Sequence, residues 1–228
     1  MRFAEPMVHL VRGDPAGARR LSDLLLSQGM QVAAFSTAAE YLAAGRDERP
    51  ACVILDLILP DSDGLELQRR LSGSRAPPVI FVTGECDLVS VVRAMKDGAI
   101  DFLIEPVDVD RLVAAVELAL LEDSKRRSLL TRWRTLTRRE AQVFHHTVAG
   151  LLNKQAAAAL GVAENTYEVH RGRVMRKMKA QSLADLVRMS TKLEPMLEAR
   201  WQEEAVVAQA RWSRRGYSSH GLHREGLA

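Results

Sequence analysis

The chain has 228 residues, of which 47% are hydrophobic and 27% charged, as in an ordinary globular protein. This length allows one large domain or two modest ones, each with a core of its own. No apolar run reaches the roughly 18–20 residues that cross a bilayer, and residues 1–10 do not look like a signal peptide. We therefore expect a cytoplasmic protein and exclude an integral membrane protein.

The overall charge of +3 hides two halves of opposite sign. Residues 1–123 carry 12 Lys and Arg against 20 Asp and Glu, a net charge of −8. Residues 124–228 carry 20 Lys and Arg against 9 Asp and Glu, a net charge of +11. This asymmetry predicts a division of labour in which the basic half binds a polyanion.

The first half alternates short apolar strands with helical periodicity. The predicted strands are 8–11, 31–35, 51–55, 78–82 and 99–104, and the predicted helices are about 18–29, 38–44, 64–71, 88–97 and 109–121. This order predicts an α/β domain, doubly wound around a five-stranded parallel sheet. Ligands of such sheets bind at the carboxyl ends of the strands. The residues predicted there are Arg12, Gly13, Asp14, Asp56, Thr83 and Glu105.

Residues 123–134 are basic and polar, and we interpret them as a partly helical linker. No β-rich run follows, and helices are predicted at about 138–149, 153–160, 164–179 and 182–190, which makes the second half all-α. Thr137 and Glu140 have the spacing of a capping box at the start of the first of these helices. The tail, 193–228, is predicted to hold one more helix at about 195–213 before a Gly-, Ser- and Arg-rich end that we expect to be disordered.

The second and third helices of this half have helix-turn-helix spacing over about 153–172, so the third is expected in the major groove of DNA. Its apolar positions Tyr167, Val174 and Met178 are expected to face the core. Base edges are assigned to Glu168, Val169 and Arg173, whereas phosphates are assigned to basic residues that include Lys179. The predicted DNA-binding residues are Lys154, Asn165, Thr166, Glu168, Val169, Gly172, Arg173, Arg176 and Lys177.

Residues 53–64, VILDLILPDSDG, with Thr83-Gly84 and GAIDF at 98–102, resemble a receiver domain of the FixJ/NarL family of response regulators. LTRRE at 136–140, GLLNK at 150–154 and TYEVH at 166–170 resemble a LuxR-type helix-turn-helix. The resemblance covers about residues 7–191. It implies a receiver domain at 6–122 and a LuxR-type DNA-binding domain at 135–192, in a transcription regulator without a separate enzymatic activity.

The resemblance implies that Asp56 accepts a phosphoryl group and that Thr83 responds to it. The family also uses an acidic pair that binds Mg²⁺ after the first strand and a lysine after the fifth. In this sequence the acidic pair falls on Arg12 and Gly13, with Asp14 one place late, and the lysine is replaced by Glu105. The cation site has therefore gained a guanidinium, and the phosphoryl clamp has become a carboxylate.

These departures favour a receiver that ordinary phosphorylation of Asp56 does not control. We place Arg12 and Glu105 at neighbouring strand ends. Arg12 is therefore expected to pair with Asp56 or Glu105 and to hold the pocket in one state without phosphate. The alternative is a conventional two-component regulator, phosphorylated on Asp56 by a sensor histidine kinase. Only that alternative needs Mg²⁺, with Asp14 or Asp61 as substitute ligands beside Asp56; otherwise no cofactor is expected.

The expected partners are double-stranded promoter DNA and a second copy of the chain. The resemblance implies dimer contacts through the helix at about 183–189 and through the receiver. A third hypothesis is an interaction module that titrates a kinase or another regulator, but the complete recognition helix argues against it.

Overall fold

The computed structural model describes residues 5–45, 49–71, 76–84 and 86–193. Within these ranges, five strands alternate with five helices in the first half of the chain. The strands are β1 (Met7–Val11), β2 (Gln31–Phe35), β3 (Ala51–Leu55), β4 (Val79–Thr83) and β5 (Asp101–Ile104). The helices are α1 (Pro15–Ser27), α2 (Ala38–Ala43), α3 (Gly64–Arg70), α4 (Leu88–Lys96) and α5 (Val109–Arg134). The predicted doubly wound α/β domain is confirmed.

The five strands form one parallel sheet in the order β2-β1-β3-β4-β5. All residues of β1, β3 and β4 are buried, because helices cover both faces of the central strands. Side chains alternate between the faces: Val53 and Leu55 pack with α2, α3 and α4, whereas Cys52 and Ile54 pack with α1 and α5. The carboxyl ends of the strands consequently meet at one edge of the sheet.

The stretch predicted as a partly helical linker is helical throughout and forms the second half of α5. Helix α5 runs for 26 residues to Arg134, well beyond the predicted end at residue 121. The polar residues at 122–128 interrupt the apolar periodicity, so the sequence pattern does not show that the helix continues. Beyond them, Leu129, Leu130 and Trp133 are buried in the core of the second half. The second core therefore begins inside α5, before the boundary predicted at residue 135.

The second half is all-α over its described residues. It contains α6 (Arg138–Val148), α7 (Asn153–Leu160), α8 (Glu164–Met178) and α9 (residues 183–193). The predicted capping box is present, since Thr137 Oγ1 accepts from Glu140 N and Glu140 Oε2 accepts from Thr137 N. The turn between α7 and α8 is made by Gly161, whose φ of 66° suits a residue without a side chain.

None of the helices in the described ranges has the length and apolar character needed to cross a membrane. The tail helix predicted at about 195–213, and the tail beyond Leu193 as a whole, lie outside the described residues.

Candidate regulatory pocket and nucleic-acid interface

Asp56 follows β3 directly, at the carboxyl edge of the sheet, and its side chain is only 12% exposed. Its backbone N–H donates to the carbonyl of Val11 at the end of β1, which extends the strand pairing to this residue. Thr83, the last residue of β4, is buried at the same edge. The two residues that the sequence retains from the receiver pattern therefore lie at the edge where they were expected.

Arg12 makes the predicted ion pairs across this edge. Its Nη1 lies 2.8 Å from Glu105 Oε1 and its Nη2 lies 3.3 Å from Glu105 Oε2, a bidentate arrangement. The same Nη2 lies 3.7 Å from Asp56 Oδ2. We call these three residues the pocket cluster. The guanidinium bridges both carboxylates, so the prediction that Arg12 pairs with Asp56 or Glu105 is confirmed for both partners.

The assumption that Arg12 and Glu105 lie at neighbouring strand ends is wrong. Arg12 follows β1 and Glu105 follows β5, and β3 and β4 lie between these strands. The pair forms because the long arginine side chain lies across the sheet edge, where it is buried with 3% exposure. Asp56 follows one of the intervening strands, which explains why the same guanidinium also reaches its carboxylate.

The pocket cluster combines one positive and two negative groups. Burial raises the pKa of Asp56 above its ordinary value of 3.8, and the negative charge of Glu105 raises it further. The guanidinium of Arg12 and a hydrogen bond from the backbone of Leu57 oppose this effect without cancelling it. The carboxyl group of Asp56 therefore keeps its proton to a higher pH than an exposed aspartate does.

The acidic residues suggested as substitute Mg²⁺ ligands cap helices instead. Asp14 accepts from the backbone N–H groups of Ala16 (3.0 Å) and Gly17 (2.8 Å) at the start of α1, and these bonds lower its pKa. Asp61 accepts from the N–H groups of Ala38 and Ala39, both at 2.9 Å, at the start of α2. Both carboxylates are therefore engaged in capping helices.

The surroundings of Gly13 also explain why this position carries no side chain. A Cβ atom at this position would lie 2.8 Å from Cδ of Pro60, closer than real contacts allow. An acidic side chain at position 13 therefore requires Pro60 to move. The guanidinium of Arg12 lies beside Asp56 and pairs with both Asp56 and Glu105, so the pocket does not fit Mg²⁺. Within the described ranges, no group of three His, Cys, Asp or Glu residues is placed to hold a metal ion.

Helix α8 buries one face and exposes the other, as predicted. Tyr167, Val174 and Met178 are fully buried, and the Tyr167 hydroxyl lies 2.7 Å from Thr147 Oγ1 of α6. These contacts fix the rotation of the helix about its axis. The exposed residues of α8 include Asn165, Thr166, Glu168, Val169, Gly172, Arg173 and Arg176. A Cβ at Gly172 would meet nothing within 4 Å, so the surface is open there.

Two of the predicted DNA contacts have partners within the protein. Lys177 Nζ donates to Glu140 Oε2 at 2.6 Å and to the carbonyl oxygen of Thr135 at 2.9 Å. These acceptors hold the ammonium group on α6 and the end of α5, and the assignment of Lys177 to DNA phosphates stays a prediction. Glu168 accepts from Asn153 Nδ2 at 3.1 Å, so a residue of α7 that the sequence analysis left out orients its carboxylate. Lys154 is exposed at the start of α7.

Sequence reasoning also missed three charged residues at the opposite edge of the sheet, Asp123, Arg126 and Arg127. Asp123 is fully buried and is paired with both arginines. The only signal in the sequence was a carboxylate followed at three and four residues by basic residues, a spacing that is common on solvated helices.

Comparison with known proteins gives two family matches. Residues 8–117 match the response regulator receiver domain, and residues 134–190 match the luxR family of bacterial regulatory proteins. These ranges contain the pocket cluster and the helices α6 to α8, respectively.

Several relatives match over most of the chain. Nodulation protein W of Bradyrhizobium diazoefficiens is 42% identical over 195 residues, which cover 82% of this chain and 86% of that protein. The transcriptional regulatory protein FixJ of the same organism is 36% identical over 191 residues, covering 80% and 93%. A solved structure of the response regulator StyR is 38% identical, covers 83% of this chain and all of that one, and superposes with a TM-score of 0.53. On these matches, the chain belongs to the family of DNA-binding response regulators of two-component systems, which join a receiver domain to a LuxR-type helix-turn-helix domain.

Proposed function

We propose that this protein is a sequence-specific transcription regulator whose receiver is set by the pocket cluster and not by ordinary phosphorylation of Asp56. It acts on promoter DNA in the cytoplasm as a homodimer and has no separate enzymatic activity. The observation that carries the proposal is the bidentate Arg12–Glu105 pair that also bridges to Asp56.

The physical argument is electrostatic. The guanidinium of Arg12 takes the place at Asp56 that a divalent cation needs, and the carboxylate of Glu105 repels the oxygens of an incoming phosphoryl group. Both of these effects oppose the formation of an acyl phosphate at Asp56.

The DNA-binding part of the proposal assigns base edges to Val169 and Arg173 and phosphates to Lys154 and Arg176, all of which are exposed. Arg173→Ala is expected to lower affinity by about 1–3 kcal/mol and to relax sequence preference at one position. Lys154→Ala is expected to weaken binding to all sequences and to reduce the salt slope by about 1. Fluorescence anisotropy on a library of promoter fragments measures both effects.

The first experiment measures binding to the best fragment with and without a small phosphodonor plus Mg²⁺, using the natural chain and Asp56→Ala. We expect specific binding that the donor does not change in either protein. A donor-dependent increase in affinity that Asp56→Ala abolishes would contradict the proposal.

The alternative is a conventional regulator that a sensor histidine kinase activates through Asp56. The positions of Asp56 and Thr83 at the same sheet edge favour it. The double variant Arg12→Asp/Glu105→Lys separates the two proposals because it restores one acidic group and the lysine of the family pattern. If the natural pocket blocks phosphorylation, this variant gains phosphate from the donor while the natural chain does not.

A further inference from the structure

Asp123 lies midway along α5 and contacts the start of the central strand β3. Its Oδ2 accepts from the backbone N–H of Ala51 at 2.9 Å, and its side chain is completely buried. Arg127 Nε lies 2.5 Å from the same oxygen, and Arg126 Nη2 pairs with Oδ1. We call Asp123, Arg126 and Arg127 the α5 cluster. It lies at the edge of the sheet opposite the pocket cluster.

This contact fixes α5 in two directions. A buried carboxylate without partners is very unfavourable, so Asp123 is held where Ala51 and the two arginines can reach it. A shift of α5 along its axis by one turn, about 5.4 Å, or a rotation that turns Asp123 away from β3, breaks the bond to Ala51. The receiver sheet thereby sets both the rotation and the axial position of the helix.

The far end of α5 belongs to the DNA-binding half. Leu129, Leu130 and Trp133 are buried among α6, α8 and α9. Arg132 Nη1 donates to the carbonyl of Met178 at 3.3 Å, and Lys177 Nζ donates to the carbonyl of Thr135 at 2.9 Å, so the end of α5 also holds the end of α8. Asp123 and Trp133 are ten residues apart on one uninterrupted helix, a separation of about 15 Å.

We infer that Asp123 is the positioning residue that sets the orientation of the recognition helix α8 relative to the receiver. Through it, the sheet that carries Asp56 at one edge holds the DNA-binding helices from the other edge. The inference deepens the proposed function and rests on it only where it concerns DNA. The orientation itself is a property of the free protein.

The test measures the distance between spin labels on the receiver and on α7 by electron spin resonance. The labels are attached at Glu66→Cys and Ala158→Cys, both exposed, in a Cys86→Ser background. Asp123→Ala is expected to broaden the distance distribution at least twofold while circular dichroism stays unchanged. Asp123→Asn is expected to remain narrow because the amide oxygen still accepts from Ala51. The matched control is Lys125→Gln, which breaks only the exposed Lys125–Glu122 pair on the same helix.

A second variant keeps the test decisive if Asp123→Ala fails to fold. Arg126→Gln/Arg127→Gln removes the two partly exposed cations and leaves a buried carboxylate without a counter-charge, so it is expected to broaden the distribution in the same way. A folded Asp123→Ala or double-arginine variant with the narrow distribution of the natural chain would overturn the inference. Distances are recorded without DNA, so that this result stands apart from the phosphodonor experiment. In DNA binding, Asp123→Ala is expected to lower affinity about tenfold, with Asp123→Asn close to the natural chain.

Discussion

The pocket cluster and the α5 cluster lie at opposite edges of the same sheet and have opposite charge. The pocket cluster places one guanidinium between two carboxylates, whereas the α5 cluster places one carboxylate between two guanidinium groups. In each cluster the single central group is almost fully buried and its partners are more exposed. Substitution of the central residue is therefore expected to lower the free energy of unfolding more than substitution of one outer residue.

Loss of the central cation should produce the largest effect on stability. Arg12→Ala leaves Asp56 and Glu105 facing each other in a buried site, and we expect it to lower the free energy of unfolding by about 3 kcal/mol. Urea unfolding followed by circular dichroism measures the change. Arg12→Ala/Glu105→Gln, which removes one of the two repelling charges, is expected to recover part of it. An unchanged midpoint for Arg12→Ala would show that the central cation is dispensable.

A third buried carboxylate, Glu140, provides a comparison with a single cationic partner. Glu140→Gln weakens the bond to Lys177 and is expected to cost about 2 kcal/mol at neutral pH. Burial raises the pKa of Glu140, but its bonds to Lys177 and Thr137 outweigh burial and lower the pKa below the ordinary 4.5. A lowered pKa contributes stability above the unfolded value, and this stability is lost as the pH falls through the folded value.

Acid unfolding of the natural chain and of Glu140→Gln tests this sign. The difference in stability between the two should be largest near neutral pH and should shrink below about pH 4.5. A difference that grows on acidification would mean that burial dominates the pKa of Glu140 and that the Lys177 pair is weak.

Loss of one outer residue of the α5 cluster should have a smaller effect. In Arg127→Gln, Asp123 retains Arg126 and the N–H of Ala51, so we expect a loss of about 1 kcal/mol. Urea unfolding measures this loss beside that of Arg12→Ala. A cost as large as that of Arg12→Ala would contradict the distinction between central and outer residues.

The smallest effect is expected on the surface of the same helix. Lys125→Gln breaks a pair that is exposed at both ends, which is worth at most about 0.5 kcal/mol. Its unfolding midpoint should be indistinguishable from that of the natural chain in 1 M salt, where the pair is screened. A clear shift at high salt would show that Lys125 supports α5 by packing and not by charge.

The sequence predicted the fold because the strands of the receiver are continuous apolar runs and the helices of the second half have clear periodicity. It also predicted the pairing of Arg12, since charges of opposite sign at one sheet edge attract each other. It could not predict that the side chain of Arg12 spans the ends of two intervening strands. Hydrophobic periodicity predicts the strands but not their order in the sheet. Nor could it distinguish Asp14 and Asp61 as helix caps from free carboxylates, since both roles use the same residue type.

The error at residues 123–134 has a similar cause. A buried ionic group looks like a solvated one in the sequence, so Asp123 and its two arginines indicate a partly helical linker and not a buried contact. For the same reason the sequence does not show that Lys177 pairs with Glu140, which lies 37 residues earlier in the chain. Local patterns report which residues are polar, whereas tertiary contacts decide which polar residues are buried.

The second core begins inside α5. This position limits where a different receiver can be joined to the DNA-binding half. Leu129, Leu130 and Trp133 supply part of the hydrophobic core around α6 and α8. A recombination event that joined a foreign receiver at residue 135 would leave that core unfilled. A join between Arg127 and Leu129 instead keeps Asp123 with its two arginines and leaves the buried end of α5 with the DNA-binding half. A chimera joined there, in helical register, should keep both halves folded.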